Sequence, residues 1–119
     1  MDKEKRKILL ENYKNRKPEK GILSIKNKTE EIEFLTIAKD KKANINSIKM
    51  KLNTNWHPNK ELQDLWNKYG EGDFEIDLIE KLKYDDPKED YTRELNELLE
   101  ILLLEKKDAR RLEKKKSNL

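Results

Sequence analysis

The apolar positions change period several times along this chain, and each change marks an element. Over 2–16, Ile8, Leu9 and Tyr13 fall near one face of an otherwise charged stretch, which predicts an amphipathic helix stopped by Pro18. From Gly21 the spacing becomes alternating: Ile22, Leu23 and Ile25, a turn at Lys26-Asn27-Lys28-Thr29, then Ile32, Phe34 and Ile37. Alternation broken by an Asn-containing turn predicts a β-hairpin.

Ile45, Ile48 and Leu52 return to helical spacing and predict a short helix from near Asn44, ended by Asn53 to Asn55. Pro58 suits the first position of a second helix, whose core face is Leu62, Leu65, Trp66 and Tyr69 and whose stop is Gly70. Phe74, Ile76 and Leu78 alternate as a third strand. Asp86-Pro87-Lys88-Glu89 joins an acidic N-cap, a proline and a glutamate three residues after the cap, so a long helix is expected to begin there. Its core face is Tyr91, Leu95, Leu98, Leu99 and Leu102, and Ile101, Leu103 and Leu104 widen it. That width has two readings: a helix laid across the sheet with the N-terminal helix on the other flank, or a homodimer seam along the C-terminal helix. Residues 105–119 are polar nearly all round and read as a basic helical tail.

Composition narrows the fold. A chain of 119 residues has the size of one domain, 1–119, with a core over 21–104 between an N-terminal helix (1–17) and the tail. It is 34% hydrophobic and 45% charged, where an average chain has roughly 45–50% and 25%. So little apolar material suits a thin sheet with helices, here an α/β (α+β) fold with a small three-stranded antiparallel sheet, and not a large barrel. There is no cysteine, which excludes thiolate metal sites, disulfides and cysteine nucleophiles, and His57 is alone, which excludes a histidine cluster. No apolar run approaches the ~20 residues a membrane span needs, and the apolar stretch near the N-terminus is too short for a secretory signal. The expected location is the cytoplasm, with no membrane partner.

The net charge of +3 hides an uneven distribution. Residues 1–20 hold 8 basic and 4 acidic side chains and residues 105–119 hold 7 and 3. Between them, 26–68 carries 9 basic and 6 acidic side chains, while 71–100 carries 4 and 12. Only the first half of the domain can offer the basic surface that nucleic acid requires.

With these elements in order, several stretches resemble the GIY-YIG nuclease family. Gly21-Ile22-Leu23 stands in the place of GIY, and Phe34-Leu35-Thr36-Ile37-Ala38-Lys39-Asp40 resembles the YIG strand with its following small residue and Asp. His57-Pro58-Asn59-Lys60-Glu61-Leu62-Gln63-Asp64-Leu65-Trp66-Asn67-Lys68-Tyr69-Gly70, followed by Phe74-Glu75-Ile76, resembles the family's H-x-N-x-x-L-Q-x-x-W-x-K-Y-G stretch and the strand after it. The resemblance covers about 21–104 and implies a GIY-YIG-like fold. It also implies a chemistry in which the GIY tyrosine helps activate water and the YIG tyrosine helps hold the site. An arginine on the first helix then meets the phosphate, and a glutamate on the last helix holds a divalent metal.

Most of those groups are replaced. Leu23 has no proton to exchange, Phe34 keeps the ring without the hydroxyl, and Thr36 stands for the last glycine. Lys49 is nearest to the arginine position, a point charge without the bidentate fork. Glu94 fits the metal-holding glutamate, with Mg²⁺ or Mn²⁺ as the cofactor if the site is active. Lys39, Lys41, Lys42, Lys49, His57 and Asn59 are the candidate nucleic-acid contacts. Set against these roles, a lysine run is ordinarily a solvated surface and His57 ordinarily a turn residue. Trp56 is expected to staple the following helix, the other reading being an exposed base-stacking platform.

Three functions follow as expectations. The first is a catalytically degenerate nuclease-like domain acting as a nucleic-acid-binding or interaction module. The second is an active, metal-dependent endonuclease using Lys49 and Glu94, and the third is a self-associating structural protein.

Overall fold

In the computed structural model, residues 2–7 and 17–113 are described, with 3–7 helical. Ile8, Leu9 and Tyr13, the expected face of the N-terminal helix, lie outside the described residues, as does 114–119.

Strand β1 (Lys20–Asn27) carries apolar side chains on both of its faces, and it forms the middle of the fold. It pairs antiparallel with β2 (Glu33–Ala38) on one side and with β3 (Phe74–Leu82) on the other. A fourth strand, β4 (Arg110–Arg111), runs parallel to β2 at Phe34 and Leu35, so the sheet order is β3-β1-β2-β4. The three-stranded antiparallel expectation is therefore corrected to four strands with one parallel pair. Two residues are too few to produce an alternating signal.

Period-two alternation divides β1 and β2 between two cores. Leu23, Ile25, Phe34 and Ala38 face one side, which is covered by α1 (Lys41–Asn53) and α2 (Lys60–Tyr69) through Ile48, Leu52, Leu62, Leu65 and Trp66. Ile22 and Leu35 face the other, beneath Leu99 and Leu102 of α3 (Thr92–Glu105). No helix among the described residues is long and apolar enough to cross a membrane.

Helix starts follow hydrogen bonds that the sequence pattern leaves open. Asp40 caps α1 by accepting from the Ala43 N–H, and Asn59 caps α2 by accepting from the Leu62 N–H. Pro58 therefore precedes the cap and does not open the helix. Asp86 accepts from the Lys88 N–H at 2.9 Å, which closes a local turn, and α3 begins only at Thr92, whose N–H donates to Asp90. The expected helical tail is corrected over 106–113: after Glu105 the chain turns, Leu112 donates its N–H to the Leu35 carbonyl at 2.9 Å, and its side chain is buried in the α1–α2 core.

Gly21 has a steric reason. A Cβ built there lies 1.9 Å from the Glu80 carbonyl oxygen, beside the register shift between Ile22 and Leu23 where β3 bulges against β1. Overpacking of this kind costs about 1–3 kcal/mol or more. Gly21→Ala is expected to destabilise the fold by about that amount, seen as a lower urea midpoint with an unchanged slope of the transition.

Candidate nucleic-acid interface

The loop joining α1 to α2 shapes a groove on the described molecule. Asn55 adopts the left-handed conformation (φ 61°). The Trp56 N–H then donates to the Lys51 carbonyl at 2.8 Å and the Asn55 N–H to that of Leu52 at 3.2 Å, the double closure of a Schellman cap. Gln63, buried on α2, locks this loop: its amide donates to the Leu52 carbonyl and to Asn67, and its oxygen accepts from the His57 N–H at 3.0 Å. Asn67 in turn donates to the Asn55 side chain, and the Trp66 indole to Asn53.

Beside the loop opens a groove of about 690 Å³. Asn44, Ser47, Ile48 and Lys51 form its α1 wall, His57, Pro58 and Asn59 of the loop with Lys60 and Glu61 of α2 the facing wall, and Thr36 joins from the sheet. Leu112 and Glu113 close it from the β4 side. Asn44, Ser47 and Lys51 recur at i, i+3, i+7, a polar stripe next to the apolar stripe of α1. That stripe was available in the sequence, but the resemblance drew attention to Lys49 instead.

His57 Nδ1 accepts from the Asn59 N–H at 3.0 Å, so the neutral ring carries its proton on Nε2. Burial, and then the nearby Lys51 cation, hold its pKa below the ordinary histidine value, with Glu113 opposing. Asn59 has both ends of its amide engaged, capping Leu62 and donating to the Leu112 carbonyl at 2.9 Å. It is a structural tie between α2 and the β4 segment. Glu61 is paired with Arg110, and Arg111 with Glu100, so both arginines of β4 are neutralised locally.

The other expected residues are dispersed. Lys49 is two positions from Lys51, which places the two about 200° apart around α1, and it does not line the groove. Lys41 pairs with Asp77 at 2.8 Å and Glu19 at 3.6 Å, and its pKa is raised by the hydrogen bond to Asp77. The Lys39 carbonyl accepts from Lys20 at 3.1 Å, and Lys42 is exposed at the start of α1. Leu23 and Phe34 are both 0% exposed in the core beneath α1 and α2. Glu94 is exposed in the first turn of α3, the helix that packs on the opposite face of the sheet, and is not among the groove residues. Among the described residues no three His, Cys, Asp or Glu side chains converge as metal ligands. Glu94 offers a single exposed carboxylate, and an Mg²⁺ or Mn²⁺ held that way takes its remaining ligands from water and substrate phosphate.

Trp56 overturns its expected role as a staple. Its indole is 81% exposed, one residue before His57 of the groove wall, while Trp66, ten residues on, is 5% exposed and packs on Phe74 with ring centroids 5.0 Å apart. The expectation failed because the Schellman closure turns residue 56 outward, and an αL position at Asn55 carries no hydrophobic signature.

No family model and no curated protein matches the chain. Two solved structures do, both of the catalytic domain of the homing endonuclease I-TevI. One shares 22% identity, with 80% of this chain and 99% of that one covered and a TM-score of 0.62. The other, a point mutant of that domain, shares 22% identity, with 82% and 97% covered and a TM-score of 0.66. The likeness extends over nearly the whole of that domain and shows that the fold here is GIY-YIG-like.

A lowered histidine pKa has a definite sign in stability. Below the unfolded value near 6.5, the unfolded chain binds a proton that folded His57 refuses. Stability is therefore expected to fall with pH from about 7 until the folded ring protonates, and His57→Gln should flatten that slope. An NMR titration of the ring should give a midpoint below that of an unfolded peptide; a midpoint at or above it would contradict the assignment.

Proposed function

We propose that this chain is a nucleic-acid-binding module, built on a GIY-YIG-like scaffold, that does not hydrolyse phosphodiesters. One observation carries the reading: a solvent-open groove walled by Asn44, Ser47, Lys51 and His57 lies beside a core that holds Leu23 and Phe34. The first set supplies what a phosphodiester needs for binding. Lys51 is a point charge, among the described residues no carboxylate forms a salt bridge with it, and Ser47, Asn44 and the His57 Nε2–H are neutral hydrogen-bonding groups. The second set offers no hydroxyl where the resemblance expects two. General acid–base help is worth roughly 10²–10⁴ in rate and positioned charge stabilisation more, so losing both at one site is consistent with binding without turnover. The active-endonuclease alternative requires Lys49 and Glu94 to act together, and their positions on α1 and α3 do not favour it.

Fluorescence anisotropy with labelled oligonucleotides should detect binding at about 50 mM salt that weakens several-fold by 200 mM. Lys51→Glu should weaken it about ten-fold, whereas Lys49→Glu should matter less. Absence of binding at the lower salt would refute the reading. A plasmid-nicking assay with Mg²⁺ or Mn²⁺ should show no product, and activity that disappears in Glu94→Ala would establish the endonuclease instead.

A second reading, self-association through α3, is favoured by Ile101 at 50% and Leu104 at 77% exposure. Leu103 packs partly on the core, so Leu104 is the discriminating position. Sedimentation at micromolar protein should reveal a dimer that Leu104→Asp dissociates; a monomer in the unaltered chain excludes it.

A further inference from the structure

We propose that Trp56 is a stacking platform for an unpaired base, so that the groove receives single-stranded rather than duplex nucleic acid; this rests on the reading above. A tryptophan left 81% exposed forgoes the hydrophobic stabilisation that a residue of its size ordinarily gains on folding. Its backbone is nevertheless held rigidly. The Trp56 and Asn55 N–H groups close the end of α1, Asn55 is tied to Asn67, and the next residue, His57, is bonded to buried Gln63. The indole is thus presented on a fixed support, next in the chain to His57 of the groove wall, at low conformational cost to a ligand. Met50, in the last turns of the same helix, is 63% exposed and adds apolar surface at that end.

The charge pattern points to a single strand. Duplex binding calls for a broad basic stripe, yet Lys41, Arg110 and Arg111 are each paired with a carboxylate. Lys51 and Lys60 remain at the groove, with no salt bridge to either among the described residues. Two lysines, set against the Glu113 carboxylate in the same groove, make a small basic surface; with an exposed aromatic face one residue from its wall, it suits a strand whose bases are free to stack, because bases inside a duplex already stack on one another and offer no open face.

The test uses the full chain with labelled oligothymidylate and a duplex of equal length. The single strand should bind about ten-fold more tightly, with quenching of the exposed tryptophan emission. Trp56→Ala should lower its affinity roughly ten-fold or more with an unchanged melting temperature, and Trp56→Phe should retain most of it. Equal affinity of Trp56→Ala and the unaltered chain for the single strand, or duplex bound as tightly as single strand, overturns this inference and leaves the nucleic-acid reading standing. Binding of neither form at low salt removes both.

Discussion

Two-sided burial of β1 is the constraint on which the rest depends. In a chain that is only 34% hydrophobic, two cores exist because the central strands serve both, β1 with Leu23 and Ile25 on one side and Ile22 on the other, β2 with Phe34 on one and Leu35 on the other. Each helix then needs only a narrow apolar stripe: Ile48 and Leu52 suffice for α1, and Leu95, Leu99 and Leu102 for α3. Because β1 is buried on both faces, its neighbours must fit its backbone closely, and at Gly21 the Glu80 carbonyl of β3 leaves no room for a Cβ. The stretch Gly21-Ile22-Leu23 is thus explained by packing alone, whatever chemistry its counterparts perform.

The same is true of the stretch from His57 to Gly70. Asn59 caps α2 and holds the β4 segment, Gln63 clamps the preceding loop, Leu62 and Trp66 fill the core, and Gly70 ends the helix with φ 83°. A pattern composed of such residues persists where the fold persists. It says little about hydrolysis, which is why a likeness in shape to a nuclease domain and the loss of both phenols coexist here without contradiction.

What the sequence made legible was whatever rests on local period. The hairpin, the stripe on α1, the face of α2 and the third strand all emerge from the spacing of apolar residues. Features that depend on where a polar group finds its partner were hidden. Asp86 looked like a cap and instead closes a turn on Lys88; Arg110 and Arg111 looked like a solvated tail and instead pair with β2. At the groove, Lys49 and Lys51 have the same side chain and differ only in helical phase, which a resemblance cannot resolve but a 3.6-residue period can. The outward turn at Trp56 follows from a left-handed Asn55, and no composition or period encodes that.

Among the described residues the outer edge of β3 is unpaired, since that strand ends the sheet. Open edges invite another strand, most readily an identical one. Along this edge Glu75, Asp77 and Glu80 recur, and charged side chains on an edge strand disfavour pairing with another strand. The acidic side chains of β3 thus work against edge-to-edge pairing of copies, a consequence of where they stand and unrelated to any ligand.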